Sequence, residues 1–514
     1  MPMQRMQKNV DFLTYLKEVH VDIYKEDLII PSHTPGPGTA VYTVPSPTLS
    51  LKRAAVSIPF PQHVFPIHLL AYIFDFLHPS LDARTLLSCL TTCRAWYLPA
   101  QVRLYRSIVV SDERSLYLLW ERLSDLPYLS RAVREVRLRD TSYLPAKSLS
   151  KNRAAVRGYW ENPVWLLQSP RRLAQLVPYA EFLTFEHINW EKLHLRDDIP
   201  SHKWLSQWMS FPPLQQLTLH SCVFSCFHEF ELVIMSLPTL DHLHLDSVSW
   251  GDHAVATADA LRTDPRRRKI ALGSLTIGYS CDLHSIATWI LATSTIERIK
   301  RLDILAGHEG APEVIAPFVN RFRATLQHLT IGCEGMAHTL APMTTHMNFH
   351  GWPQLHTYYF KLISLFLPKV TWIPVALSFA LPGFLPPYPQ CPTISCTSTC
   401  ACAGCLTRLT TLRVVVLDIP LADAAELENT VWDQIMWILA ELVAGGSGLR
   451  IVFVQRGSMP LAQAEWVLKR RMGAVWPYVE VVSEDTKLEF CEADSQSSLG
   501  SSGSTRTGGP LSWC

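Results

Sequence analysis

Residues 214–224 read LQQLTLHSCVF, and residues 240–250 read LDHLHLDSVSW. The two stretches match position by position. Leu214, Leu217 and Leu219 fall against Leu240, Leu243 and Leu245, Cys222 against Val248, and Phe224 against Trp250. Two leucines one residue apart, with polar residues between and around them, specify a short strand with one apolar face. The last two apolar positions follow a turn. Ala180, Leu183, Phe185, Ile188 and Trp190 repeat the pattern upstream, and Val133, Val136 and Leu138 begin the series. Weaker copies follow at Leu272, Leu275 and Ile277, at Ile299, Leu302 and Ile304, and at Leu326, Leu329 and Ile331. The central residues, 136, 183, 217, 243, 275, 302 and 329, are separated by 47, 34, 26, 32, 27 and 27 positions.

This series resembles the leucine-rich repeat, L-x-x-L-x-L-x-x-N/C-x-L, with Cys222 at the Asn/Cys position. The later steps lie near its period of ~20–29 residues. Helical patterns at 230–235, 284–292 and 312–322 fall between strands. A single strand–helix unit cannot bury its own apolar face, so stacking of units must supply the core. The expected fold is α/β: an N-terminal helical hairpin, then an irregular leucine-rich-repeat solenoid with parallel strands on one face and helices on the other. His242 and His244 alternate with Leu243 and Leu245, which puts them on the outer, concave sheet surface. Trp190 and Trp250 read as core or turn-packing residues.

Residues 65–97, FPIHLLAYIFDFLHPSLDARTLLSCLTTCRAWY, read as two short helices and a turn. Proline suits the first turn of a helix, and His78-Pro79-Ser80 stops that helix. Asp82 is the candidate N-cap of the second. The stretch resembles an F-box. Pro66, Leu69, Leu70, Ile73, Phe74, Leu77, Leu86, Leu87, Leu90, Cys93, Arg94 and Trp96 match that family's pattern. His68 stands where the family usually has glutamate, and Thr92 where it usually has valine. The resemblance implies that these twelve residues dock the small adaptor subunit of an SCF-type cullin-RING ubiquitin ligase, and through it the cullin. Helical pair and degenerate repeats together resemble the leucine-rich-repeat F-box proteins expanded in mushroom-forming fungi (basidiomycetes). There the repeat surface is the presumed receptor for a protein substrate. The other reading is a non-catalytic repeat scaffold that uses the hairpin to pack the end of the solenoid.

Composition sets the remaining bounds. The 514 residues carry a net charge of +1 and only 18% charged side chains, so neither a nucleic-acid partner nor a membrane is expected. No secretory signal opens the sequence, and most of the thirteen cysteines lie in apolar periodic segments. A reduced cytoplasmic or nuclear setting is therefore expected. Nucleophile-elbow, Walker, H-E-x-x-H and dinucleotide fingerprints are all missing. No catalytic residue, metal ligand set or cofactor is expected, and the chain reads as a non-enzyme.

Six segments are expected. Residues 1–60 form an arm and linker, 61–108 the F-box-like helices, and 109–360 the repeat array. Residues 361–406 form an uncharged Pro/Cys-rich insert, 407–493 the closing repeats and cap, and 494–514 a Ser/Gly-rich tail. The insert has no Asp, Glu, Lys or Arg between 370 and 407. Its apolar run is too short for a membrane span, and its cysteine spacing does not suit zinc. A copy at Leu409, Leu412 and Val414 lies 83 residues beyond Leu329, and removing 361–405 would shorten that step to 38. A retained intron would account for this. Sequencing the transcript tests it, since reads that all span the segment would exclude it.

Overall fold

The computed structural model describes residues 67–140, 164–191, 214–252, 270–278, 280–292, 296, 298–306, 312–334, 352–363, 412–420, 436, 439–440, 443, 449–456 and 459–483. Pro66, the N-terminal arm, the Ser/Gly-rich tail and most of the insert lie outside these residues. The chain divides into two compact units, Met1–Val136 with Thr141–Asn162, and Arg137–Asp140 with Pro163–Cys514.

The described part of the first unit begins with three helices: α1 (Ile67–Asp75), α2 (Ala83–Thr92) and α3 (Arg94–Leu104). The sequence pattern merges α2 and α3 into one helix; the structure separates them at Cys93, which is extended (φ −156°, ψ 162°). The cause is local. Thr91 and Thr92 both turn their hydroxyls onto the carbonyl of Ser88, at 2.9 Å each, and such back-bonding loosens a helix end. Arg94 and Trp96 therefore begin a third helix. Asp82 occupies the N-cap position of α2, but its carboxylate accepts the backbone N–H of His78 at 2.7 Å instead. Leu70, Phe74, Ala83, Leu86, Leu87, Cys89, Leu90, Ala100 and Leu104 form one apolar core among the three helices. Strand β1 (Ser107–Val110) and helix α4 (Glu113–Asp125) follow. A capping box starts α4: Asp112 accepts the Ser115 N–H at 2.6 Å, and the Ser115 hydroxyl accepts the Asp112 N–H at 3.0 Å.

The second unit is a run of parallel strands in one register. After β2 (Glu135–Arg139), whose last residues belong here, come β3 (Phe182–Glu186), β4 (Gln216–His220), β5 (Val223–Cys226), β6 (His242–Asp246) and β7 (Ser249–Asp252). Then follow β8 (Ser274–Ile277), β9 (Arg301–Ala306), β10 (His328–Glu334), β11 (Thr357–Ile363), β12 (Val414–Pro420), β13 (Arg450–Arg456) and β14 (Val479–Ser483). The main sheet keeps chain order from β3 to β14, with β5 and β7 set aside as a separate parallel pair. Helices between strands include α5 (Phe227–Met235), α6 (Leu283–Ala292), α7 (Pro312–Arg321) and α8 (Leu461–Met472).

Register converts the repeat pattern into a core. Leu183, Leu217, Leu243, Leu275, Leu302 and Leu329 lie side by side on successive strands, and so do Phe185, Leu219, Leu245, Ile277, Ile304 and Ile331. All twelve are buried. The post-turn positions form a third ladder, Ile188, Cys222 and Val248, and an aromatic one, Trp190, Phe224 and Trp250. Trp190 stacks on Phe224 with centroids 4.5 Å apart, and Phe230 and Trp289 extend the cluster beneath. Cys222 is buried in its ladder, which pushes its thiol up to about 12. Between the ladders the chain turns through one left-handed residue, His187, Ser221 and Ser247 in turn (φ 59°, 51° and 54°). At the next strand Gly278 packs closely: a Cβ there would sit 3.0 Å from the Leu245 carbonyl oxygen and 2.6 Å from Asp246 Oδ1.

Two expectations need correction. The stretch at 352–360 is itself a repeat, with Trp352, Leu355, Tyr358 and Phe360 buried. Aromatics replace leucine at its two strand positions. The following copy is shifted: Val415 and Leu417 point inward and Leu412 leads them, so Leu412 is not the centre. Consequently β11 and β12 are neighbours in the sheet, with 50 residues, 364–413, between them. Removing 361–405 would cut three residues from β11 and leave eight, 406–413, for the crossover. Parallel neighbours need about a dozen or more. The insert therefore starts after Ile363, and that excision does not restore a regular repeat.

Candidate functional site

Helix α1 is apolar on two sides. Leu70 and Phe74 share one face, with Leu77 below them in the turn that follows, and that face meets α2 and α3. Leu70 and Phe74 keep only 2% and 3% of their surface. Leu69, Tyr72, Ile73 and Phe76 form the other side and remain 42%, 63%, 46% and 72% exposed. Tyr72 and Phe76 meet edge to face at 4.9 Å, so they form one patch. Leu81, Leu98 and Val102 add exposed apolar surface in the same unit. A contiguous apolar strip on the outside of a closed core is the mark of a docking surface. Burying one such side chain on a partner contributes about 1.5–3 kcal/mol.

The structure thus sorts the twelve sequence-predicted residues. Leu70, Phe74, Leu86, Leu87 and Leu90 are internal. Leu77 and Trp96 are half-buried against the same core, with Trp96 edge-on to Phe74 at 5.9 Å. Leu69, Ile73, Cys93 and Arg94 are exposed, and Pro66 lies outside the described residues. Tyr72 and Phe76 were not singled out by the sequence pattern. The signal for them was available: once 70, 74 and 77 are given to the core, 69, 73 and 76 must face away.

Arg103 fixes the end of α1 in place. Its Nε donates to the Leu77 carbonyl and its Nη2 to the Asp75 carbonyl, both at 2.7 Å, while Nη1 lies 3.3 Å from Asp75 Oδ1. A guanidinium on the last carbonyls satisfies groups that a helix end leaves open. Arg103→Met should lower the stability of this unit by about 2 kcal/mol, within the range for hydrogen bonds to charged groups. Urea unfolding followed by amide exchange of the α1–α3 backbone measures it.

The repeat unit presents a different surface. On the side of the sheet away from the leucines, Thr184, Thr218, His244, Thr276, Asp303 and Thr330 form one row across β3–β10. Polar contacts cross it. Arg139 Nε meets Glu186 Oε2 at 2.6 Å, and His220 Nδ1 meets Asp246 Oδ2 at 2.7 Å. Asp303 Oδ2 accepts from Thr276 Oγ1 at 3.1 Å and from Arg301 Nε at 3.0 Å. The rings of His187 and His220 meet edge to face at 5.4 Å. Further along, the same side turns apolar: Val452, Val454 and Val482 are buried there, with Val414 and Val416 packed against them. The polar row is thus continuous across β3–β10, and beyond it Tyr359 with Asp418 and Arg450 with Glu480 keep polar pairs beside the valines. His242 and His244 lie on this side, as their alternation predicts.

Burial holds His187 below the ordinary histidine value, helped by His220 and Arg139 and opposed by Glu186 and Asp140. Burial likewise lowers His244, against the pull of Asp246 and Asp303. The folded state therefore binds fewer protons than the unfolded chain near pH 6.5, the ordinary value for both. By linkage, their stabilising contribution is complete above that pH and is lost as pH falls from there through the lowered folded values. Thermal melts from pH 7.5 to 5 should show a declining Tm that flattens in His187→Gln/His244→Gln. A Tm that rises on acidification would contradict this assignment.

Among the described residues no three His, Cys, Asp or Glu side chains are grouped to hold a metal ion. No described helix is long and apolar enough to cross a membrane. No family model matches the chain, and no curated protein matches it in sequence. Among solved structures, the chain is similar to the leucine-rich repeat-containing protein LegL7 from Legionella pneumophila. The identity is 14% and the TM-score 0.37, over 72% of this chain and 98% of that one. It is also similar to a chain of the Rad7 and Elc1 complex in yeast, at 11% identity and TM-score 0.35, over 82% and 94% of the two chains. Its own strand order, register and buried ladders make the second unit an irregular leucine-rich-repeat array.

Proposed function

We propose that this chain is a non-catalytic substrate receptor of an SCF-type cullin-RING ubiquitin ligase, of the fungal leucine-rich-repeat F-box type. The exposed strip Leu69, Tyr72, Ile73 and Phe76 on α1 is the observation that carries the reading. In this reading the strip docks the adaptor as an apolar helix face laid into a groove. The polar sheet face across β3–β10 takes a protein substrate. The chemistry belongs to other subunits, and the receptor acts by proximity, raising the effective concentration of substrate lysines. A cytoplasmic or nuclear location goes with this role. The second reading, a repeat scaffold without a ligase role, draws on Leu70 and Phe74, which are spent on the chain's own core.

The two readings separate in a pull-down of the full chain with purified adaptor. Ile73→Asp/Phe76→Asp is the informative control, because both side chains are exposed and the core stays intact. Changing Leu70 and Phe74 would unfold the helices and lose binding for the wrong reason. Capture by the parent and loss in the control support the receptor. No capture by the parent supports the scaffold.

A further inference from the structure

The last helix carries an exposed stripe that reads alike from both ends. In α8, Ala464, Val467, Leu468 and Met472 are buried. Ala462, Glu465, Trp466, Lys469 and Arg470 lie on the other side and are exposed, as is Gly473 at the helix end. The intervals between these six positions are 3, 1, 3, 1 and 3. Trp466 keeps 57% of its surface, with the Arg470 guanidinium 5.5 Å from its ring centroid. Lys469 Nζ lies 6.0 Å from the ring centroid of Trp476. Basic residues in the last turn suit the helix dipole. The dipole accounts for those charges, but not for an acidic residue and a tryptophan set beside them.

The chemistry of the stripe complements itself. A two-fold axis perpendicular to α8, at the level of the bond between Val467 and Leu468, maps 465 onto 470, 466 onto 469 and 462 onto 473. An antiparallel copy would therefore set Glu465 against an arginine, Trp466 against a lysine, and alanine against glycine. Each contact is made twice, once on either side of the axis. An ammonium over an indole face is attracted by the ring, most strongly for tryptophan. Lys469 would then stand between Trp476 of its own chain and the tryptophan of the other. Arg470 also interacts within its own chain. Its guanidinium has five N–H donors and can serve both. Small residues at the two ends let the helix axes approach to about 8–10 Å. The exposed side of α4 lacks this property: a two-fold at its middle residue, Leu119, sets Glu113 against Asp125.

We propose that α8 is a homodimer contact. It pairs antiparallel with the same helix of a second copy of this chain, Trp466 against the partner's Lys469 and Glu465 against the partner's Arg470. A standard interface buries about 800 Å² on each partner. One helix face offers less, so this dimer is of the weak, transient kind. The inference does not depend on the ligase reading.

Sedimentation velocity of the full chain from ~1 to ~300 µM tests it. The parent should move from monomer to dimer as concentration rises. Trp466→Ala should weaken the dimer at least about tenfold at unchanged Tm, because the side chain is exposed. Glu465→Arg alone should weaken it as much, since it puts like charges together on both sides of the axis. Adding Arg470→Glu to that variant reverses both members of the pair and should restore the parent's association. A parent that stays monomeric throughout overturns the proposal; binding of a poly-glutamate peptide, lost in Trp466→Ala, would then assign the face to an acidic partner. A dimer unaffected by Trp466→Ala and Glu465→Arg also overturns it and places the contact elsewhere. So does a failure of the second charge change to restore the first, which would exclude the two-fold pairing.

Discussion

Phe224→Ala should destabilise the repeat unit by about 3–5 kcal/mol, the cost typical of emptying a large aromatic site in a packed core. Phe224 is fully buried and stacks on Trp190 at 4.5 Å, with Phe230 edge-on at 5.7 Å. It belongs to a ladder, so the cavity opens between two turns and both neighbouring rings lose a partner. Ridged repeats of this kind depend on nearest-neighbour interfaces, and the loss is expected to spread to the adjoining units. Denaturant unfolding should show a lower midpoint, with earlier exchange of the β3, β4 and β6 amides. Phe224→Leu keeps most of the volume and should cost well under half as much. An unchanged midpoint in the alanine variant would mean that the aromatic ladder is not the core of this array.

Phe74→Ala should have a comparable effect on the first unit, again about 3–5 kcal/mol. Its helical core is small, and Phe74 touches Trp96 across it. A loss of that size is a large fraction of the ~5–15 kcal/mol that holds a typical domain together. The helices should lose their exchange protection, while the repeat strands keep theirs. Phe76→Ala, two residues away and exposed, should leave the midpoint within about 0.5 kcal/mol, as surface substitutions do. Equal effects from the two changes would contradict the assignment of inner and outer faces on α1.

That pair also shows where the sequence was readable and where it was not. Period-two leucines between polar residues announced β4 and β6, and even the weak copies at Leu275, Leu302 and Leu329 fell on real strands in register. The helices after β8 and β9 were legible to within two residues. β11 escaped because Tyr358 and Phe360 fill the leucine positions, and a leucine template does not see them. The shift at Leu412 has the same origin: Val414, Val415 and Val416 are chemically alike, and only the neighbouring strands choose the one that points inward. The break at Cys93 depends on two threonine hydroxyls sharing one carbonyl, which no periodicity encodes. On α1 the difficulty is different in kind. Seven of its apolar residues match a recognition pattern or flank it, and pattern alone does not divide those that make the core from those that meet a partner. Packing makes that division: it buries Leu70 and Phe74 and leaves Leu69, Tyr72, Ile73 and Phe76 exposed.

The most direct test is a calorimetric titration of the SCF adaptor into the full chain, into Ile73→Asp/Phe76→Asp, and into a Tyr117→Asp control on exposed α4. The account predicts measurable binding to the parent and the α4 control, and a loss of at least a hundredfold in the α1 variant at unchanged Tm. No binding to the parent, or equal binding to all three, would contradict it.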